Sequence, residues 1–222
     1  MMRGHIFRLL ILWGLVCGQA VMAEPDAGKF HEGSQYQRIV PPLPVTGQRD
    51  RVEVVEMFFY ACPHCRELEP KMKHWLENKP QVDFRRVPAI LGPNWAEQAR
   101  AYYIARELGR LEELHQALFR EIHEEGRQIY NQYAVVEFFV RHGVPREKVL
   151  ELYYSDPVLK ALNEARVKTV KSGLRGVPAV IVNGTYKTAP YFVHNQEEML
   201  EVLDSLVEKE RQKKRVAENV SQ

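Results

Sequence analysis

Cysteine is scarce in this chain of 222 residues, which contains only Cys17, Cys62 and Cys65. A small secreted protein held together by several disulfide bridges is therefore excluded, because such a framework needs more cysteine pairs. A structural zinc site usually takes four ligands, yet there is no second close cysteine pair and no two histidines are three to five residues apart. The sequence accordingly disfavours a metal site.

The chain also lacks an excess of charge of either sign. Its formal net charge is +2, and Arg3 and Arg8 are the only charged residues before Glu24, so the remainder carries 29 basic and 29 acidic residues. Without a net basic field, we expect no general attraction to nucleic acid or to anionic lipid. The basic cluster at 209–215 is interrupted by Glu210 and is interpreted as a solvated helix face.

The N-terminal apolar run at 9–16 is too short to span a bilayer, which needs about 20 residues. It follows two arginines and precedes the small-residue pattern at 21–23, an arrangement typical of an export signal. We expect residues 1–23 to be a signal peptide that is cleaved off. An uncleaved anchor is the alternative, and a lipoprotein site at Cys17 is disfavoured by the bulky Val16 before it.

Removal of the signal peptide leaves Cys62 and Cys65 as the only cysteines. A bridge that closes so short a loop removes little entropy from the unfolded chain and so adds little stability. A chemical role for the cysteine pair is therefore favoured over a structural one. The pair follows an almost continuous β-branched and aromatic run at 52–60, typical of a strand that is covered on both faces. Pro63 suits the first position of a helix, which we predict to end near Glu77.

The remaining pattern predicts an α/β core that is interrupted by helices. A second strand follows the first helix in a βαβ unit, and strand character returns near the C-terminus in a hairpin that turns at Asn183-Gly184. The chain between these parts has helical spacing and no strand signal. The predicted strands after the first helix are 82–87, 179–182 and 185–188. A closing helix is predicted from 196 to about 215, followed by a polar tail. The core then comprises 24–92 with 172–222, and the inserted helical subdomain 93–171.

The sequence Cys62-Pro63-His64-Cys65 stands where the buried strand meets the helix N-terminus. Unpaired N–H groups and the helix dipole would stabilise a thiolate on Cys62 and lower its pKa. His64 can add a donor or a positive charge, and Cys65 lies close enough to close or resolve a disulfide. A haem attachment site is excluded because residue 66 is Arg. The motif alone leaves an inert bridge and a metal site open, but its position favours redox chemistry.

A second signal precedes the strand at 179–182, where Gly176-Val177-Pro178 stands. The simple interpretation is a loop-to-strand turn, since proline at the start of a strand is allowed. The alternative is a cis proline that directs the backbone of Val177 towards Cys62 and an incoming peptide.

Together these features resemble the DsbA family of bacterial periplasmic disulfide oxidases, a branch of the thioredoxin superfamily. The resemblance covers essentially the whole chain after the signal peptide. The matching segments, besides the signal, are 55–59, 62–65, 176–179 and 182–184.

The resemblance implies a thioredoxin-like fold with an inserted helical domain and with Pro178 in the cis form. It also implies an oxidoreductase that donates the Cys62–Cys65 disulfide to reduced, unfolded exported proteins in the periplasm, with Cys62 as the attacked sulfur. Pro63, His64, Cys65 and Pro178 complete the implied catalytic set, and Val177 with Pro178 would contact substrate. No cofactor beyond this disulfide is implied. A DsbB-type membrane oxidase would restore the disulfide, and we expect a monomer without metal or nucleic acid.

The family also has acidic residues beneath its active site, and Glu56 and Glu69 occupy the matching positions. The accompanying base corresponds to Arg86 or to the adjacent Arg85; the family usually has Lys, and an always-charged Arg is a poorer proton carrier. A buried Glu56 would have a raised pKa and could exchange a proton with Cys65. Either glutamate could instead be an ordinary surface charge.

Other interpretations remain open at this point. A periplasmic disulfide reductase or isomerase would use the same chemistry, and a chaperone-like peptide-binding module would carry the cysteine pair incidentally. Tyr102 and Tyr103 have the spacing of helix-core residues and are interpreted as packing. His115 and His123 lie in a helical stretch without a clear metal partner.

Overall fold

A computed structural model describes residues 28–48 and 50–220 of the chain. The proposed signal peptide at 1–23 and Cys17 lie outside the described residues. The elements are β1 (Gln37–Arg38), β2 (Val52–Phe58), α1 (Pro63–Leu76), β3 (Val82–Pro88), α2 (Ala96–Glu107), α3 (Leu111–His123), α4 (Gln132–Arg141), α5 (Arg146–Tyr153), α6 (Asp156–Lys171), β4 (Ala179–Val182), β5 (Tyr186–Thr188) and α7 (Gln196–Val220).

The five strands form one mixed sheet in the order β1-β5-β4-β2-β3. Strand β2 pairs in parallel with β3 and antiparallel with β4, so it has a neighbour on each side. All seven of its residues are buried. The prediction of a central strand covered on both faces is therefore confirmed, and its continuous apolar run is explained by burial on both sides of the sheet.

Alternation along β2 divides its side chains between two environments. Val54 packs with residues of α1 and α7, and Phe58 joins the apolar cluster that contains the helices α2–α6. Val55 and Met57 face the opposite side of the sheet. Glu56 therefore lies on the α1 side, between Val54 and Phe58.

The five helices α2–α6 all fall between β3 and β4 in the chain, as the predicted α/β pattern requires. Their apolar side chains form one cluster with Phe58, Tyr60 and Cys65 from the core. The junction between β2 and α1 is thus buried partly by the inserted helices. No helix of residues 28–48 and 50–220 carries an apolar stretch that could cross a membrane.

The C-terminal helix differs from its prediction. Helix α7 extends to Val220, so the predicted end of this helix near residue 215 is wrong. No proline or glycine follows residue 196 to stop the helix. Lys213 of the basic cluster at 209–215 is exposed, as expected of a solvated helix face, and its Nζ also donates to Tyr186 Oη over 2.8 Å.

Candidate active site

The two cysteines occupy different environments at the start of α1. Cys62 has an extended backbone and precedes the first helical residue, Pro63. Both cysteines are free; Cys62 is half-buried, whereas Cys65 is fully buried. Cys62 is therefore the sulfur that a second protein can reach.

The helix N-terminus sets the charge on Cys62. A hydrogen bond from the Cys65 thiol, the backbone N–H groups of Cys65 and His64, and the charge of His64 lower the pKa of Cys62 to about 6, against the opposing effect of burial. Burial raises the pKa of Cys65, and the neighbouring Cys62 raises it further. The two pKa values are thus pushed apart, which makes Cys62 the thiolate and Cys65 the thiol.

The loop before β4 lies against the exposed sulfur. The Val177–Pro178 peptide bond is cis, as the resemblance implies. The Cys62 Sγ lies 3.4 Å from the carbonyl oxygen of Val177. A second cis bond, between Val40 and Pro41, was not anticipated from the sequence.

Three side chains from distant elements hold the backbone around the cysteines. Gln98 Oε1 accepts from the N–H of Ala61 over 3.0 Å, and Gln196 Nε2 donates to the carbonyl of His64 over 2.8 Å. His123 Nε2 lies 2.7 Å from the carbonyl oxygen of Tyr60. Sequence reasoning missed these contacts, because the partners are on α2, α3 and α7 and no local pattern marks them.

The acidic residues beneath the cysteines are both buried, with Glu56 at 0% and Glu69 at 6% exposure. Arg86 Nε and Nη2 each donate to a different oxygen of Glu69 over 3.0 Å. Arg86 Nε also lies 3.5 Å from Glu56 Oε2. The interpretation of both acids as surface charges is therefore wrong.

The register of the sheet decides which arginine reaches the acids. Glu56 is paired with Arg86 and Val55 with Arg85 in the parallel β2–β3 ladder. Because paired residues share a face of the sheet, Arg86 joins Glu56. Arg85 lies on the opposite face, where its guanidinium donates to Thr46 Oγ1 over 3.1 Å.

The two carboxyl groups differ in their protonation. Burial, together with the charge of Glu69, raises the pKa of Glu56 to about 8 despite Arg86. Burial would also raise the pKa of Glu69, but His115 and Arg86 together lower it. Neither oxygen of Glu56 has a hydrogen-bond partner among the residues that the structure describes. Glu56 is thus the carboxyl that holds a proton near neutral pH.

His115 belongs to this site, although its sequence context predicts only packing. It is 1% exposed, with Nδ1 2.8 Å from Tyr60 Oη and Nε2 3.0 Å from Glu69 Oε1. The signal in the sequence is slight: a histidine on the apolar face of α3, between Leu114 and Leu118.

No group of three metal-ligating side chains occurs within the described ranges. The arrangement that is present, a stabilised thiolate next to a buried thiol and a protonated carboxyl, suits thiol–disulfide exchange.

Comparisons with known proteins agree with this chemistry. Residues 71–208 match the model of a family described as DSBA-like thioredoxin domain. The thiol:disulfide interchange protein DsbA of Burkholderia cepacia is 32% identical over 216 residues, which cover 96% of this chain and 100% of the relative. The protein of the same name from Pseudomonas aeruginosa is 31% identical over 211 residues, 95% of this chain and 98% of the relative.

Solved structures give the same result. The crystal structure of Pseudomonas aeruginosa DsbA superimposes with a TM-score of 0.77 at 32% identity, covering 84% of this chain and 97% of that one. The oxidoreductase DsbA from Xylella fastidiosa gives 0.75 at 33% identity, covering 82% and 97%. The fold is therefore thioredoxin-like with an inserted set of helices, and the chain belongs to the DsbA-like thioredoxin family as a thiol:disulfide oxidoreductase.

Proposed function

We propose that the protein is an exported dithiol oxidase, which donates its Cys62–Cys65 disulfide to reduced proteins as they fold in the periplasm. The observation that carries this proposal is the opposite shift of the two cysteine pKa values, to about 6 for Cys62 and upward for Cys65. A stabilised Cys62 thiolate lowers the free energy of the reduced form. An enzyme with a stable reduced form gives up its disulfide readily.

The exchange proceeds in two steps. A substrate thiolate attacks Cys62 Sγ, the Cys62–Cys65 bond breaks, and Cys65 leaves with the electron pair and takes up a proton. The substrate's second thiolate then attacks the substrate sulfur that is bonded to Cys62 in the mixed disulfide, and Cys62 leaves as a thiolate. The substrate has lost two electrons and gained a disulfide, while the enzyme is reduced.

Glu56 is the proposed source of the proton that Cys65 takes up. It is buried and protonated near neutral pH, and once it has lost its proton its charge adds to the raised pKa of Cys65. Arg86 remains charged throughout, so it neutralises Glu69 rather than carrying a proton itself.

The exposed side of the site would bind the substrate backbone. The carbonyl of Val177 next to the cis Pro178 lies within 3.4 Å of the Cys62 sulfur, where an extended peptide can pair with it. The imidazole of His64 is exposed and lies 3.2 Å from Glu67 Oε2 on its own helix, so the ring can face a partner.

Regeneration requires an acceptor for two electrons. The family resemblance supports a DsbB-type membrane oxidase in this role, and the export pattern at 1–23 supports a periplasmic location. We further propose that the protein acts as a monomer and uses no cofactor apart from the cysteine pair.

The first test is the equilibrium of the Cys62–Cys65 couple with glutathione buffers, quantified by alkylation and mass shift. We expect the couple to be more oxidising than the glutathione pool, and the Cys62→Ser variant to be inactive in oxidising a reduced model protein. A couple as reducing as that of thioredoxin would instead identify a reductase. Peptide binding that is independent of Cys62, without disulfide transfer, would identify a chaperone-like module.

A further inference from the structure

A buried histidine adjoins the redox site, and the exchange described above does not use it. His115 projects from α3 into the space between the end of β2 and α1. It is packed edge-on against Phe58 and Phe119, with ring centroids 5.3 and 5.1 Å away. An apolar side chain would fill this space as well, so the two ring nitrogens require an explanation.

Tyr60 and Glu69 together determine which nitrogen of His115 carries a proton. The Tyr60 hydroxyl is 2.8 Å from Nδ1, and burial raises the pKa of this phenol well above its usual value, so it stays protonated and can either donate or accept. The Glu69 carboxylate, 3.0 Å from Nε2, can only accept, so the single proton of a neutral imidazole lies on Nε2 and the hydroxyl donates to Nδ1. A charged imidazole also has this proton. In both states an N–H therefore lies on the Glu69 side of the ring.

Glu69 receives positive or donor groups from two sides. Arg86 binds it through two hydrogen bonds of 3.0 Å, and His115 Nε2 approaches Oε1 to 3.0 Å. The Nε2–H is not aligned well enough for a regular hydrogen bond, but its approach still favours the carboxylate form of Glu69. Glu56, by contrast, has only the 3.5 Å approach of Arg86.

The titratable groups around this contact come from every element packed on it. They are Glu56 and Tyr60 from β2 and its end, Cys65 and Glu69 from α1, Arg86 from β3, Tyr102 from α2, and Glu112 from α3, which is exposed and 3.6 Å from Arg86. Two buried carboxylates this close together do not both ionise readily, so one of them keeps the proton. The carboxyl group with more donor or positive groups around it ionises, and the other carboxyl group keeps the proton.

We propose that His115 is a positioning residue of the redox site, which acts with Arg86 to hold Glu69 as a carboxylate and thereby leaves the exchangeable proton on Glu56, beneath Cys65. This inference rests on the proposed exchange of a proton between Glu56 and Cys65. Without His115, the proton is shared between the two carboxyl groups, and less of it is available to the leaving sulfur.

The test is carbon-13 NMR of labelled glutamate carboxyl groups during a pH titration, with Glu56→Gln and Glu69→Gln for assignment. We expect the signal of one carboxyl group to titrate far above the usual pH range. This signal should be missing from Glu56→Gln and present in the other proteins. In His115→Phe, which retains the aromatic packing, Glu69 should titrate at higher pH and Glu56 at lower pH. Tyr153→Phe is the control: it removes a hydroxyl group that donates to Glu97, away from this site, and should change the titration of neither Glu56 nor Glu69.

Activity gives a second readout in the same variants. The rate of disulfide donation, divided by the fraction of substrate thiol that is ionised, should fall with rising pH as Glu56 loses its proton, and in His115→Phe this decline should begin at lower pH. A variant with an unaltered pH profile and an unaltered Glu69 titration would show that His115 is only packing.

Nitrogen-15 NMR of the wild-type imidazole keeps the proposal testable if His115→Phe does not fold. We expect Nε2 to carry a proton, and a neutral ring protonated only on Nδ1 would overturn the proposal. The glutathione equilibrium decides the oxidase function separately. A reducing couple with the expected carboxyl titrations would therefore reject the oxidase and retain the role of His115.

Discussion

Glu56 is a buried carboxyl group whose neutral form the fold favours over the charged form. Its pKa is about 8 in the folded protein and close to 4.5 when it is exposed. The folded state consequently binds more protons than the unfolded state between these values, so stability falls as pH rises from about 4.5 to about 8.

Replacement of Glu56 by Gln should remove this pH dependence. In the oxidised protein, where neither cysteine titrates, we expect the variant to gain stability over the wild type as pH rises, by up to about 5 kcal/mol above pH 8. Urea unfolding at pH 5 and pH 8.5 measures the difference. Equal slopes of stability against pH for the two proteins would contradict the assignment of a buried, proton-bearing Glu56.

Cys62 should ionise with a midpoint near pH 6 in the reduced protein, measured by thiolate absorbance near 240 nm. The Cys65 thiol is the largest cause of the low pKa, so Cys65→Ala should raise the midpoint more than His64→Ala. The His64 backbone N–H remains in the latter variant and preserves part of the effect. A wild-type midpoint above 8 would contradict this account. The Cys62→Ser variant identifies the background absorbance.

Single residues of this site were predictable where the chain periodicity or a motif marks them. Cys62 and Cys65 follow from their spacing, and Glu56 follows from its place within a buried strand. The choice between Arg86 and Arg85 depends on strand register, which the sequence does not specify. His115 was not predictable, since its partners Tyr60 and Glu69 are on other elements and are recognised only in three dimensions.

At the scale of elements, the turn between β4 and β5 depends on close packing as well as on conformation. Asn183 and Gly184 have φ values of +50° and +63°, as a two-residue hairpin turn requires. A Cβ atom on Gly184 would lie 2.2 Å from the carbonyl oxygen of Leu43. Gly184 thus also permits the N-terminal segment to dock on the hairpin.

Gly184→Ala should therefore cost more stability than a matched glycine substitution. Gly109 has a similar φ of +68°, but no atom lies within 4 Å of an added Cβ. We expect about 1 kcal/mol for Gly109→Ala from backbone conformation and at least about 3 kcal/mol for Gly184→Ala, measured by urea unfolding. Equal losses would show that the contact with Leu43 relaxes without cost.

The elements were largely predictable because apolar periodicity and proline or glycine positions mark their limits. The strand predicted at 179–182 and the helix start at Pro63 agree with the structure. The predicted end of α7 near residue 215 is wrong because a polar composition does not by itself stop a helix. Contacts such as that of Lys213 with Tyr186 support its last turns from a distant strand.

At the scale of the whole molecule, one apolar cluster joins the inserted helices to the core. We expect a single unfolding transition, with calorimetric and van't Hoff enthalpies in agreement, for the oxidised protein lacking residues 1–23. Phe58→Leu in the core and Phe138→Leu in the helices should each lower the same transition, by roughly 1–2 kcal/mol. Two separate transitions would show that the parts fold independently.

The global arrangement was predictable mainly through the family resemblance. The α/β class follows from the order of strand and helix patterns, but strand order and the placement of helices over Cys65 do not. Limits such as 93–171 describe the chain rather than the packing, because Phe58 and Tyr60 belong to the same apolar cluster as α2–α6.

The edge of the sheet places a constraint on how the protein is made. Thr188 Oγ1 donates to the carbonyl of Gln35, 153 residues earlier, and β1 pairs only with β5. At about 5–20 residues per second, a ribosome needs about 8–30 seconds between these two segments. During that time Tyr36 lacks Tyr186, whose ring lies 5.5 Å from its own in the folded protein. The pairing of β1 with β5, which completes this edge of the sheet, can therefore form only after the loop with Pro178 has been made.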